Sequence, residues 1–286
     1  MNHKTKFGFS LLELSFVLII SSILIAAVAK GNQILKRSRI VSAQSLTKSS
    51  PVPRISNLVV WHETTMDNSF NDADLLLSRI NTWRNLSPNI RASDATASGA
   101  FIPTYTKNAI NNLPAINFNG SNYFSFDGTS LANSDYTIIV VEQRMDGRDQ
   151  NYFIGSGASG VANQTPQFGY RTDGLITFAQ WGNDYNVTVN TFSKPTPVIH
   201  IFRFSSVIGK NYYRNGANMT LVDAGNGVAT QGLTSYNSAR IGIYTIGNGA
   251  YYGYIGEIII FNKYINDDEM KDIKLYLSKK WQITVS

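Results

Sequence analysis

The hydrophobic and polar positions divide this chain at about residue 50. Phe9 to Ala29 form an apolar run with one ionisable member, Glu13. At about 1.5 Å per helical residue, some 20 residues cross a hydrocarbon core of roughly 30 Å. A carboxylate inside such a run is costly and marks a functional position by default. Helical spacing of apolar positions then continues through Ile34, Leu35, Val41 and Leu46 to about Lys48. Gly31 is a soft point in that helix, worth up to about 1 kcal/mol against Ala. Pro51 and Pro53 end the helix and stiffen the segment that follows.

From residue 58 the pattern changes to short strands separated by Gly, Asn, Asp and Ser. They are predicted at Leu58–Trp61, Ala115–Phe118, Tyr136–Glu142, Tyr152–Ile154, Gln167–Tyr170, Ile176–Gln180, Ile199–Phe204, Asn211–Arg214, Ala239–Ile243 and Gly256–Phe261. This spacing predicts a mainly β chain, an antiparallel sandwich of jelly-roll type. Asn215-Gly216 is a two-residue hairpin turn, since both central positions need positive φ. A short helix closes the chain. Asn266 to Glu269 form its capping box, and Met270, Ile273, Leu277 and Trp281 its buried face.

The chain starts with a short basic leader that ends Gly8-Phe9-Ser10-Leu11-Leu12-Glu13. A secretory signal would be cut after the apolar run, and Ala26-Ala27-Val28-Ala29 loosely fits such a site. A plain membrane anchor gives no reason for Glu13. Over about residues 1–50 the pattern resembles the type IV prepilin leader shared by pilins and type II secretion pseudopilins. The resemblance implies cleavage by a prepilin peptidase after Gly8, methylation of the new N-terminus at Phe9, and assembly through Phe9 and Glu13. Pairing of that ammonium with the Glu13 carboxylate, within one subunit or between neighbours, would lower the cost of burying either. The implied organisation is a leader over 1–8, a transmembrane and amphipathic pilin helix over 9–50, a linker over 51–57 and a sandwich over 58–286. Lys30, Lys36, Arg37 and Arg39 follow the span and oppose Lys4 and Lys6 in a positive-inside count. Large C-terminal domains cross largely regardless of charge. The expected location is therefore the inner membrane, single-pass with the C-terminal domain periplasmic, or a surface filament after assembly.

Residues 54–286 resemble the concanavalin A-like lectin/glucanase fold in its laminin G-like branch. The likeness is carried by Trp83-Arg84-Asn85-Leu86-Ser87, Pro114 to Ser121, Tyr136–Val141, the Tyr213-Arg214-Asn215-Gly216 turn, Gly253 to Asn262 and the terminal helix into Trp281. Glucanases on this fold alternate catalytic carboxylates along one strand. No such run occurs here, and the expectation is a chain that is not an enzyme. The fold branch implies that one calcium ion is possible, with Asp127, Asp135, Asp173 and Asp184 in suitable loops, although turns favour Asp for backbone reasons alone. No metal ligand is assigned.

Charged residues make up only 15% of the chain against a usual quarter, and Cys is absent. Disulfides and thiolate chemistry are thereby excluded. The net charge of +6 falls to +4 without Lys4 and Lys6 and lies largely in the helical arm, so nucleic acid is not an expected partner. Sugar recognition would use an aromatic ring flanked by hydrogen-bonding side chains. Tyr170, Arg171, Trp181, Asn183, Asp184 and Tyr185 form the best such cluster, with Tyr212, Tyr251 and Tyr252 near its rim. Core packing is the competing reading for each of these rings. Trp61, Trp83 and Trp281 are assigned to the core. The resulting expectation is a pilin-like filament subunit displaying a non-catalytic binding domain for a glycan or glycoprotein. Its partners would be the prepilin peptidase, other pilin or pseudopilin subunits, and the membrane. The alternatives are a structural pseudopilin of a type II secretion-like machine and, third, a DNA-uptake minor pilin.

Overall fold

The computed structural model describes residues 10–88, 93–157, 160–225, 227–245 and 248–286, so Gly8 and Phe9 lie outside the described residues. The chain divides into two compact units after Ser42. In the first, helix α1 (Leu11–Lys48) runs without a break through Gly31. Its apolar side chains are exposed all round, and it is long and apolar enough to cross a membrane, a test that a signal sequence also passes. The helix opens on a capping box. Ser10 N donates to Glu13 Oε2 at 2.9 Å, and Glu13 N donates to Ser10 Oγ at 3.2 Å. Two backbone donors that a helix start leaves unpaired are satisfied this way.

The second unit begins with the last turn of α1, where Ala43 and Thr47 are buried. Gln44 Nε2 donates to Thr65 O at 2.9 Å and to Asp67 Oδ1 at 3.0 Å. Its body is two β-sheets. Among the described residues the first sheet runs Ala217–Met219, Gly209–Arg214, Val198–Ser205, Tyr136–Arg144, Tyr252–Phe261, Leu113–Asn119 and Thr104–Ile110, with Leu58–Glu63 also paired to Tyr252–Phe261. The second sheet includes Val222–Asp223, Asp184–Thr188, Leu175–Ala179, Gln167–Thr172, Asn151–Ser156, Ala239–Ile241 and Phe124–Phe126 in that order. Among the described residues pairing is antiparallel except for Ala250 beside Tyr152.

Alternation along the strands sends Ile138, Val140, Phe202, Ile258 and Ile260 of the first sheet into the space between the sheets, against Phe153, Phe168, Ile176 and Phe178 of the second. The opposite face of the first sheet is buried as well, through Ile139, Val141, Ile199, Ile201 and Ile259. Helix α2 (Asp267–Trp281) lies on that side: a Cβ on Gly256 would stand 2.3 Å from the Trp281 ring, so the strand there has to be bare. Burial on both faces is why these strands read as unbroken apolar runs.

The expected Asn266–Glu269 capping box is present, and Met270, Ile273, Leu277 and Trp281 are buried as expected. Asn215 and Gly216 both take positive φ, 47° and 83°, in the hairpin between Gly209–Arg214 and Ala217–Met219. Trp61, Trp83 and Trp281 belong to the core.

The interior also holds charge. Lys280 Nζ lies 2.8 Å from Glu63 Oε2 and 2.9 Å from Glu257 Oε2, and all three side chains are fully buried. The indoles of Trp61 and Trp281 and the Tyr276 hydroxyl donate to Glu257. Glu63 accepts from Thr65, Met66 and Ser69. Burial alone would lower the Lys280 pKa, but the two carboxylates hold it above its ordinary value.

Candidate functional site

The outer face of the second sheet carries a cavity lined by polar and aromatic side chains. Along Gln167–Thr172, Phe168 and Tyr170 point into the core, which turns Gln167 and Arg171 outward. Across the sheet, Asp184 points the same way at the start of Asp184–Thr188, and Arg171 Nη2 meets its Oδ2 at 2.5 Å. Together with Gln150, Tyr152, Trp181, Gly182 and Tyr244 these residues line a cavity of about 580 Å³. Small-molecule sites fall in this range of size.

The turn at residues 180–183 joins two strands of the sheet and has unusual chemistry. Trp181 and Gly182 both adopt left-handed backbone, at φ 58° and 65°. Glycine does this freely, whereas a bulky side chain incurs about 1–2 kcal/mol. Trp181 is nevertheless 39% exposed, and its ring stacks on Tyr244 with centroids 6.2 Å apart and planes 15° apart. The structure therefore keeps a strained, half-exposed indole at a cavity wall. Inside, Asp184 Oδ1 has no hydrogen-bond partner among the described residues, and the buried Tyr244 hydroxyl lies beside the Gln167 side chain. Burial pushes the Tyr244 phenol up to about 12, so it stays a donor at physiological pH.

Asn183 fixes the turn from below. Its amide donates to Gln180 Oε1 at 3.0 Å and to Gln231 O at 2.8 Å, its Oδ1 accepts from Val228 N, and its carbonyl accepts from Lys210 Nζ at 2.8 Å. Of the six residues that sequence reasoning singled out, Arg171, Trp181 and Asp184 meet in the cavity. The other three are corrected. Tyr170 is fully buried and donates to Glu142 Oε1 at 2.9 Å, in a network with His200, Tyr212 and Tyr251. It sits one residue before Arg171 on a strand, which places it on the other face. Asn183 is 2% exposed and spends its side chain on the turn. Tyr185 lies on the inner side of its strand, with Lys210 Nζ 4.8 Å above its ring. Tyr212 and Tyr251 leave the rim for the same core network, and Tyr252 lies under the Arg148 guanidinium.

Four lining residues were missed. Gln167 was within reach of sequence reasoning, because it shares the outward face with Arg171 four positions on. Gln150, Tyr152 and Tyr244 come from elsewhere in the chain and carry no local signal. Of the loop aspartates, Asp127 accepts from Thr129, Asp135 from Ser206 N, and Asp173 from Arg144 and Phe192 N. Among the described residues no three His, Asp or Glu side chains group as a metal site.

Lys210, buried under this turn, gives a pH dependence. Burial pushes its ammonium down to about 7, against the pull of Asp184 and Asp223. Between pH 7 and 10.5 the unfolded chain thus holds more protons than the folded one, and folding stability rises with pH. The slope contributed is at most about 1.4 kcal/mol per pH unit. Urea midpoints at pH 7 and pH 9 should show this rise, and Lys210→Met should flatten it; an unchanged slope in the variant would contradict the assignment.

No protein-family model and no curated protein matches the chain. Solved structures do. The Trypanosoma rangeli sialidase in complex with 2,3-difluorosialic acid is 13% identical, covering 87% of this chain and 39% of that one at a TM-score of 0.50. The same sialidase in complex with sialic acid is 15% identical over similar shares at 0.50. Domain 4 of AbnA, a GH43 extracellular arabinanase from Geobacillus stearothermophilus, in complex with arabinotriose, is 12% identical, covering 76% of this chain and 98% of that one at 0.52. The chain spans about two fifths of the sialidase's length. The likeness is one of fold. The expectation that the chain is not an enzyme is corrected here. Its fold is shared with parts of sialidases and of an arabinanase, which are enzymes, so a missing carboxylate run is no ground for excluding catalysis.

Proposed function

We propose that this chain is a pilin-like, membrane-inserted subunit whose second unit binds carbohydrate in the Trp181–Tyr244 cavity. The observation that carries the binding half is Trp181, held at φ 58° and 39% exposed at the cavity wall. Backbone strain of this size persists where surrounding structure enforces it, and such positions cluster at binding sites. An indole supplies the flat apolar surface that a pyranose or furanose face needs, and Asp184, Gln167 and Tyr244 supply groups for its hydroxyls. The arabinanase domain of similar fold is seen with arabinotriose, which supports a saccharide as the ligand.

The filament half rests on Gly8-Phe9 followed by Glu13 in an apolar run. The Ser10–Glu13 capping box supports it by keeping the carboxylate at the first turn, near the position a new Phe9 ammonium would occupy in sequence. In this reading a prepilin peptidase cuts after Gly8, and Phe9 and Glu13 set the packing of neighbouring subunits. The C-terminal unit is periplasmic, or on the surface once a filament forms.

Full-length protein in lipid nanodiscs, applied to a glycan array, tests the binding half. Saturable binding that Trp181→Ala abolishes is expected, and an array without signal would overturn it. Co-expression with a prepilin peptidase tests the other half: the mature protein should begin at Phe9 by mass spectrometry. A terminus after Ala29 would make the segment a removed signal.

A further inference from the structure

We infer that the cavity selects neutral glycans over acidic ones, an inference that rests on the carbohydrate reading of the same site. The argument is one of charge already matched. Among the residues lining the cavity, Arg171 is the one cation and Asp184 the one anion, and they meet at 2.5 Å. The same guanidinium nitrogen also donates to Gln167 Oε1 at 3.4 Å. Asp184 is 14% exposed, so it has little water to fall back on if Arg171 turns to another carboxylate. An acidic sugar would therefore bring a second anion beside Asp184 while competing for the guanidinium it pairs with, and breaking a mostly buried pair is strongly unfavourable. Arg171 acts on the Tyr152 hydroxyl electrostatically, and Asp184 and Asp149 act on it with the opposite sign.

What remains unengaged suits hydroxyl groups. Asp184 Oδ1 is an acceptor with no hydrogen-bond partner among the described residues, and the Tyr244 hydroxyl, beside Gln167, can donate. The Gln150 amide does both. Sugar hydroxyls donate and accept at once, and an uncharged ring can stack on Trp181 without disturbing the Arg171–Asp184 pair. In this arrangement Asp184 both binds and excludes, since it offers an acceptor to a hydroxyl and repels a carboxylate.

The test uses full-length protein in nanodiscs and matched glycans that differ only by a carboxylate-bearing sugar, such as lactose-type chains with and without terminal sialic acid. Each neutral glycan that binds should do so at least tenfold more tightly than its acidic counterpart. In Asp184→Asn, whose fold is checked by circular dichroism, Arg171 loses its counter-charge and the neutral-to-acidic ratio should fall by at least tenfold. A preference for acidic glycans in the native protein would overturn the inference while leaving carbohydrate binding intact. A ratio unmoved in Asp184→Asn would show that this pair does not set the choice. No binding by either class would overturn the carbohydrate reading itself.

Discussion

Lys280→Met is expected to destabilise the second unit by about 3–5 kcal/mol at pH 7, the range measured when one partner of a buried ion pair is removed. Folded domains have only about 5–15 kcal/mol in total, so this is a large share. The cause is what stays behind. Glu63 and Glu257 are both fully buried and share Lys280 as their cation, at 2.8 and 2.9 Å. Their remaining partners are all donors: Trp61, Trp281 and Tyr276 for one, and Thr65, Met66 and Ser69 for the other. Such donors favour the ionised form of Glu63. In the native protein Glu63 is held below its ordinary pKa: burial would raise it, and the Lys280 charge and the hydroxyls more than offset that. A lowered carboxylate contributes stability above its unfolded pKa that is lost as pH falls. Without Lys280 the sign reverses, because burial then dominates and the acid form is the easier one to fold. The gap between native and variant urea midpoints should consequently be widest near pH 7 and narrow towards pH 4.5. A variant within about 1 kcal/mol of native at pH 7 would show that the charges reach solvent.

This triad also marks where sequence reasoning stopped. Elements whose cause is local were legible. Pro51 and Pro53 follow the helix end at Lys48, Asn215-Gly216 makes its hairpin, and Asn266 and Glu269 cap α2. Strands buried on both faces, such as Tyr136–Arg144 and Tyr252–Phe261, announced themselves by apolar runs. Glu257 read as the polar start of such a strand, because its partner Lys280 lies on the far helix and Glu63 nearly 200 residues upstream. Buried charge pairs have no local signature. Short strands such as Phe124–Phe126 and the polar Asp184–Thr188 were passed over, since they are fixed by their neighbours. The site was half legible for a different reason. Composition found Arg171, Trp181 and Asp184, but a run of neighbours along a strand was read as one patch, and period two sends every second residue inward. Tyr170 was lost to that rule. Ser10-x-x-Glu13 is a capping signature as well as a prepilin one, and the structure shows the first of these directly.

Trp181→Gly separates function from stability at a single position, and its effect on binding is expected to be the largest of any cavity substitution. For the fold, three terms nearly cancel. Glycine relieves about 1–2 kcal/mol of left-handed backbone strain. Against that stand about 0.5–1.5 kcal/mol for the lost Tyr244 stack and about 0.5–1 kcal/mol for the freer unfolded chain. The urea midpoint should therefore stay within about 1 kcal/mol of native, because Asn183 and Gln180 still hold the turn from below. Binding has no such compensation. The indole is the exposed part of the aromatic wall, and loss of a central aromatic anchor typically costs at least 2 kcal/mol, or about 30-fold in affinity. Trp181→Phe keeps a ring in the same strained backbone and should retain much of the affinity with no gain in stability. If Trp181→Gly instead unfolds the protein, the indole is a structural wedge and its exposure at the cavity is incidental. If it folds and binds the same glycans undiminished, the left-handed tryptophan is strain without use, and the cavity is not where sugar is held.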